Sequence, residues 1–244
     1  VQTALITGAS SGFGAALARR WVGAGHRVIG LARRAERLSA LQDELGPAFS
    51  FHALDVRDDA AVARLATLEG IDVLVNNAGL ALGLGKAPAA DLADWDTMIA
   101  TNCRALAHVT RAVLPGMVAR GRGHVVNVGS VAATQAYAGG NVYGATKAFV
   151  RQFSANLRTD LHGTGVRVTL VEPAAARTEF SVVRFQGDET RADAVYQGFQ
   201  PLSADDVADA VLWAITRPAH VNAAVIELWP TAQAPAGFVY HRTP

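Results

Sequence analysis

The sequence contains one cysteine, Cys103, in 244 residues. No intrachain disulfide can form, which suits a reducing compartment. Cys103 reads as a small packing residue rather than a nucleophile. An excess of charge is also missing: 22 Lys and Arg against 21 Asp and Glu leave a formal net charge of +1. With no basic stripe or tail, nucleic acid is not expected as a partner. No apolar run is long enough to cross a bilayer and no signal peptide is present, so a cytoplasmic protein away from membranes is expected. The chain opens directly into VQTALITG without an initiating Met, as a trimmed sequence would. The seven histidines show no H-x-x-x-H or similar ligand spacing, and no metal is expected. No linker, repeat or low-complexity tract divides the chain.

What is present is apolar and periodic. Half the residues are hydrophobic, ample for a sizeable core. Short β-branched runs at 3–7, 27–32, 49–55, 72–77, 123–130, 166–173 and 223–228 read as strands. Helical patterns fall at 12–24, 34–45, 58–69, 92–120, 142–162 and 204–217. The strands are nearly continuous apolar runs, which indicates parallel strands buried on both faces. The alternation predicts one α/β domain of the Rossmann type, a doubly wound parallel sheet of about seven strands with helices on both faces. Its cofactor half would span about 1–130, its catalytic and substrate half about 131–244. Phe149, Phe153, Leu157 and Leu161 form an expected apolar stripe, and Gly163 is placed to end that helix. The two longest helices, near 92–120 and 142–162, suit a helix-on-helix contact between copies. Trp95, Trp213 and Trp229 read as core or interface residues.

The first strand runs into TGASSGFG, Thr7 to Gly14, and then a helix. Gly8 would allow the turn, Gly12 close approach of a ligand, and Gly14 close packing of helix on sheet. In this position the turn and helix start suit a dinucleotide's pyrophosphate. The second strand ends GLARR, with Ala32 where an NAD site carries an acid, followed by Arg33 and Arg34. Two guanidiniums without a carboxylate suit a 2′-phosphate, so NADP(H) is favoured over NAD(H). Solvated helix-start arginines are the alternative. Ser10 adds a hydroxyl to the same place.

The stretch GGNVYGATKAF, Gly139 to Phe149, sets Tyr143 and Lys147 four residues apart. On a helix this puts phenol and ammonium on one face, about one turn apart. A nearby ammonium favours phenolate, so the tyrosine pKa is expected to fall from roughly 10 toward neutrality. The pair would then move protons at cellular pH. Alone, it also fits a surface helix start where Tyr and Lys meet by chance.

As an ordered set the motifs are specific. TGASSGFG, LDV (54–56), NNAG (76–79), Asn102, Ser130 and YGATK (143–147) resemble the short-chain dehydrogenase/reductase superfamily along the whole chain. VNNAGLALG, TRAVLPGMV, YAGGNVYGATKAFVRQFS, LRTDLHGT, TEFS, VRFQGD and PAHVN closely resemble its NADP-dependent 3-hydroxy acid dehydrogenases. That subfamily is also described as serine or L-allo-threonine dehydrogenases and malonic semialdehyde reductases. The resemblance implies a cytoplasmic homotetramer acting on the 3-hydroxyl of small 3-hydroxy acids, or on the matching carbonyl. It implies Tyr143 as general acid/base, Lys147 lowering its pKa and binding the nicotinamide ribose, and Ser130 polarising the substrate oxygen. Asn102 would support a water linking Lys147 to solvent. Asp55 and Val56 would line the adenine pocket, and Asn76 to Gly79 would close the cleft. The implied cofactor set is Gly8, Ser10, Ser11, Gly12, Phe13, Gly14, Arg33, Arg34, Asp55, Val56, Asn77, Ala78, Gly79, Pro173 and Thr178, with Tyr143 and Lys147.

A 3-hydroxy acid needs its carboxylate anchored, usually by arginine. The expected substrate lid, about 174–200, offers Arg177, Arg184 and Arg191. Arg184 matches the subfamily pattern and is the preferred anchor; a salt bridge to Asp188 or a subunit contact are the other readings. VAATQAY (131–137) forms another expected wall, with Gln135 and Tyr137 its polar members. The chain departs from the pattern at VEPAAARTEF, where Ala174 follows Pro173 in place of glycine and the loop is shorter. A Cβ there penalises positive φ. The departure reads either as a pocket reshaped for bulkier carbonyls or as neutral drift. The tail APAGFVYHRTP is expected against a neighbouring subunit or frayed. Three functions follow: a 3-hydroxy acid dehydrogenase, a broader ketone or aldehyde reductase, and a non-catalytic NADP-binding sensor. Retention of Asn102, Ser130, Tyr143 and Lys147 disfavours the last.

Overall fold

Runs such as TALIT, VLVN and VTLVE carry apolar, often β-branched side chains on both faces of an extended chain, and they bury both. In a computed structural model, which describes residues 1–235, they form β1 (Thr3–Thr7), β2 (Arg27–Ala32), β3 (Phe49–Ala53), β4 (Ile71–Asn76), β5 (Gly123–Val128), β6 (Val166–Pro173) and β7 (Val225–Leu228). All pair in parallel in one sheet, in the order β3-β2-β1-β4-β5-β6-β7. Burial is continuous in the central strands and broken in β3 and β7 at the edges.

The helices are α1 (Gly12–Gly23), α2 (Ala35–Leu45), α3 (Asp59–Ala63), α4 (Leu92–Ile99), α5 (Leu106–Ala119), α6 (Asn141–Asp160), α7 (Phe180–Arg184), α8 (Glu189–Ala194) and α9 (Ala204–Ile215). They cover both faces of the sheet. Ala4 and Ile6 share a core with Trp21 of α1 and with Val207 and Val211 of α9. Leu5, between them, lies in the opposite core with Val109 and Val113 of α5 and Leu157 of α6. Each fully buried large side chain contributes about 1.5–3 kcal/mol, so the two cores hold the sheet from either side. Ser203 and Asp206 cap α9 reciprocally, and Arg20 of α1 pairs with Asp205 and Asp209. The chain leaves β1 for β2 and β3 on one side and returns to β4 on the other. That reversal opens a crevice at the carboxyl ends of the strands, where such sheets bind ligands.

Two expectations change. The predicted helix over 92–120 is three pieces: α4, a π-helical segment Ala100–Ala105, and α5, which contains Pro115. The apolar stripe of α6 holds only at its C-terminal end. Leu157 and Leu161 are buried, but Phe149 is 41% exposed and stacks on Phe153. The buried face instead runs through Tyr143, Thr146, Lys147, Val150 and Ser154, because polar groups there have partners inside. The expected lid, about 174–200, contains α7 and α8. Gly163, at φ +79, follows the end of α6 as expected. Trp213 is 50% exposed and carries Arg217 over its ring, so it is no core residue. No helix of the described residues is long and apolar enough to cross a membrane. Most of the expected tail contact, residues 236–244, lies outside the described residues.

Candidate active site

A cleft of about 600 Å³ lies along the carboxyl ends of the strands. Its floor at one end is the Gly-rich turn. Gly8 (φ +69) and Gly12 (φ +52) adopt backbone that favours glycine. Gly14 serves close packing: a Cβ there would fall 2.7 Å from Asn77 Nδ2 and against the Gly8 carbonyl, so Gly14 does not line the cleft. No side chain caps the start of α1 and no acid lies in its first turn, as an anion site requires. The turn is pinned to β4. Asn77 Nδ2 donates to the Thr7 carbonyl (2.9 Å), and Thr7 Oγ1 accepts from the amides of Asn77 and Ala78 (3.0 and 2.9 Å). Asn76, by contrast, is buried in the core, bonded to Thr110 and Asn127.

Beyond the turn stand Arg33 and Arg34. The sequence shows no carboxylate beside them, but the fold brings one. Glu179, 145 residues on, accepts from Arg34 Nη2 at 3.0 Å. Arg37 holds the other oxygen of Glu179. Arg34 Nη2 also reaches Ser10 Oγ (3.2 Å) and Ser11 Oγ (2.9 Å). Burial works to raise the Glu179 pKa, but the bonds from Arg37, Arg34 and Ser11 outweigh it and hold the carboxyl below its usual range. Asp55 is likewise held low, chiefly by Arg57 and with a smaller pull from Arg33. Nothing local in the sequence links Glu179 to this end of the cleft, whereas Arg37 follows Arg34 at i,i+3 on the predicted helix.

At the other end, Ser130, Tyr143 and Lys147 line one wall. Tyr143 follows Gly139 and Gly140, and both glycines are required. Gly139 sits at φ +78 against the Leu84 carbonyl, and a Cβ on Gly140 would fall 2.6 Å from the Tyr137 ring. The expected fall in the Tyr143 pKa does not occur in this geometry. Burial pushes it up to about 12, against a downward pull from the Ser130 hydroxyl. Lys147 does not bond the phenol. Its Nζ donates to the Val128 carbonyl at 2.9 Å and stands 5.8 Å from the Tyr143 ring centre. Burial also brings Lys147 down to about 8, which weakens its charge.

Asn102 does not face the cleft. Its Oδ1 accepts from the Leu80 amide (2.9 Å), and its Nδ2 donates to the Leu80 carbonyl (2.8 Å) and to Thr146 Oγ1 (3.0 Å). The π-helical segment thus ties the loop after β4 to the helix that carries Tyr143 and Lys147. A Cβ on Gly79 would lie 3.2 Å from Asn102 Oδ1 and 3.5 Å from Lys147 Nζ.

The expected substrate residues separate. Gln135, Tyr137, Ala174 and Arg184 line the cleft; Arg177 does not. Arg177 turns outward to Asp193 (2.6 Å) and over the Tyr196 ring. Arg184 donates to the Tyr137 hydroxyl (2.5 Å) and lies over the rings of Tyr143, Phe180 and Tyr137, 5.3–5.6 Å from their centres. Its ion pair with Asp188 is not formed, and its buried Nε has no partner among the described residues. The Ala174 loop carries none of the feared strain. The one non-glycine residue with positive φ among the described residues is Gln186. Phe13, Val56, Ala78, Pro173 and Thr178 line the cleft too, as do Trp229 and Gln233, which sequence reasoning did not place there.

Comparison with known proteins fits this geometry. The family model for short chain dehydrogenase matches residues 2–189. The NADP-dependent 3-hydroxy acid dehydrogenase YdfG of Salmonella typhi is 56% identical over 98% of this chain and 99% of that protein. Serine 3-dehydrogenase of Agrobacterium fabrum is 52% identical over 98% of both. Among solved structures, the closed form of serine dehydrogenase complexed with NADP+ superposes with a TM-score of 0.97 at 54% identity, covering 99% of this chain and all of that one. The chain therefore belongs to the short-chain dehydrogenase family.

Proposed function

We propose that this protein is an NADP(H)-dependent dehydrogenase of small 3-hydroxy acids, serine among them, running in reverse as a reductase of the matching carbonyl acids. The observation that carries the reading is the layout of one cleft. A guanidinium group stands beside the Gly-rich turn at one end, and Ser130, Tyr143, Lys147 and Arg184 line the other. The names of the relatives support both cofactor and substrate class. The residues fit the cofactor. Gly8 and Gly12 leave room for the pyrophosphate at the uncapped start of α1, and Arg33 and Arg34 suit a 2′-phosphate.

When bound, the nicotinamide gives or takes a hydride at the substrate carbon. The chain handles the proton. In reduction the Tyr143 hydroxyl, kept protonated by burial, donates to the carbonyl oxygen; in oxidation the proton returns to the Tyr143 oxygen. Ser130 steadies the substrate oxygen as charge develops on it. Lys147 supports Tyr143 from within the wall and holds the nicotinamide ribose. Asn102 is a positioning residue that fixes the loop after β4 against α6. Arg184, stacked on the Tyr143 ring with an unpartnered Nε, anchors the substrate carboxylate. Exposed Val118 on α5 and Phe149 on α6 support a helix-on-helix contact between copies; the homotetramer and the cytoplasmic location rest on the resemblance.

Tyr143→Phe tests the reading. Turnover should fall by at least about a thousandfold, near the upper range for loss of a general acid/base, while NADPH binding is retained. Activity surviving in the variant would sink the mechanism. A wild-type protein that binds NADPH but turns over no hydroxy or carbonyl substrate would favour a sensor. A second reading, a broader ketone reductase, draws on the small apolar wall Ala174–Ala176. Comparing malonic semialdehyde with an aryl ketone, by loss of NADPH absorbance, separates the two.

A further inference from the structure

The site at Arg34 holds more than a cofactor reading uses. Arg34 stands at the start of α2 and Arg37 lies in its first turn, while Glu179 comes from the far segment that leads into α7. One Nη2 atom of Arg34 serves Ser10, Ser11 and Glu179 together. That guanidinium is therefore committed to a carboxylate at the place where the fold offers it to a phosphate. Arg34 and Glu179 are 39% and 37% exposed, so their pair is solvated and exchangeable rather than locked.

We infer that Glu179 is a specificity-determining residue, which occupies Arg34 in place of the 2′-phosphate, so that binding of the phosphate exchanges one anion for another. This rests on the NADP(H) reading above. Arg37 makes the exchange inexpensive. It grips the second oxygen of Glu179, so Arg34 can turn to the incoming phosphate while the carboxylate keeps a partner. The charges balance on exchange. Arg33, Arg34 and Arg37 against Glu179 leave a formal surplus of two positive charges, and a phosphate brings a charge of about −2. Asp55, the other carboxylate nearby, is held by Arg57 and does not compete. A ligand without the 2′-phosphate has no reason to dislodge Glu179. The residue therefore opposes the phosphorylated ligand alone, and the discrimination that Arg33 and Arg34 supply is held below its ceiling.

The test uses the full chain and Glu179→Gln, an isosteric change at a half-exposed position. Binding of adenosine 2′,5′-bisphosphate and of AMP, which differ only in the 2′-phosphate, is measured by titration calorimetry for both proteins. In the variant, affinity for the bisphosphate should rise about threefold to fivefold, the upper part of the range for a solvated ion pair released, while affinity for AMP stays unchanged. An unchanged or weaker bisphosphate affinity would overturn the inference, because Glu179 would then be neutral or would hold Arg34 in place for the phosphate. Equal gains for both ligands would overturn it too, as a general effect on the cleft. If the wild-type protein binds both ligands equally, the 2′-phosphate reading itself fails, and the role of Glu179 falls with it. That result is recognisable before any variant is made.

Discussion

On the proposed reading, a single guanidinium sets which substrates suit this cleft. Arg184 is held by the Tyr137 hydroxyl and by three rings, so its position is fixed before a substrate arrives. Arg184→Ala should raise KM for a carbonyl acid about tenfold to a hundredfold, the cost of a lost charge-assisted hydrogen bond, and leave KM for a neutral ketone within about threefold. Equal losses on both would show that Arg184 merely supports Tyr143. The sequence made Arg184 a candidate through its neighbours, but it offered Arg177 on similar grounds. Only the fold separates them, since Arg177 finds Asp193 outside the cleft. The same limit applies to Tyr143. Spacing alone brought the ammonium near the phenol, but not the burial that acts on both groups or the Val128 carbonyl that takes the ammonium.

Local constraint is tight where α1 begins. Gly14 packs against the Gly8 carbonyl and Asn77, both backbone or held by it. Gly14→Ala should cost about 1–3 kcal/mol through overpacking, lower Tm by several degrees, and weaken NADPH binding, because the turn that cradles the pyrophosphate must shift. A calorimetric scan with and without NADPH checks both effects; an unchanged midpoint would mean the turn yields freely. Glycine's role here was legible because strand, turn and helix are each local patterns. The π-helical segment Ala100–Ala105 was not. No local pattern marks it as π-helical, and its Asn102 bonds outward to Leu80 and Thr146, contacts that leave no trace in the sequence. The short helices α7 and α8 escaped notice for a related reason. Each is under two turns and is kept by contacts such as Ser181 Oγ to the Tyr196 hydroxyl (2.7 Å), not by its own periodicity.

Across the molecule, the sheet was readable because parallel strands buried on both faces leave long apolar runs, and their order follows from the alternation with helices. Pairings between distant side chains leave no such trace. Glu172 is one case, fully buried in β6 against Arg151 of α6. Burial raises its pKa to about 7, with Glu227 adding to this and Arg151 opposing it. The folded state thus binds this proton more tightly than the unfolded chain does. Its contribution to stability is full below about pH 4.5, the ordinary value, and is lost as pH rises through about 7. Glu172→Gln carries no titrating proton, so its Tm relative to wild type should climb between pH 5 and about pH 8. A constant difference across that range would show that the carboxyl does not titrate there. The loop beyond β6 has a different consequence. Its amides at Ala174, Ala175 and Arg177 are bound to Leu228, Gln233 and Leu202. The backbone is therefore moored by groups that no side chain at these positions supplies, and none of the three alanines sits at positive φ. Selection can exchange Ala174, Ala175 and Ala176 for larger side chains without recasting the strand or the turn that grips the nucleotide. On the proposed reading, substrate range could then change at this wall while the cofactor end of the cleft keeps its shape.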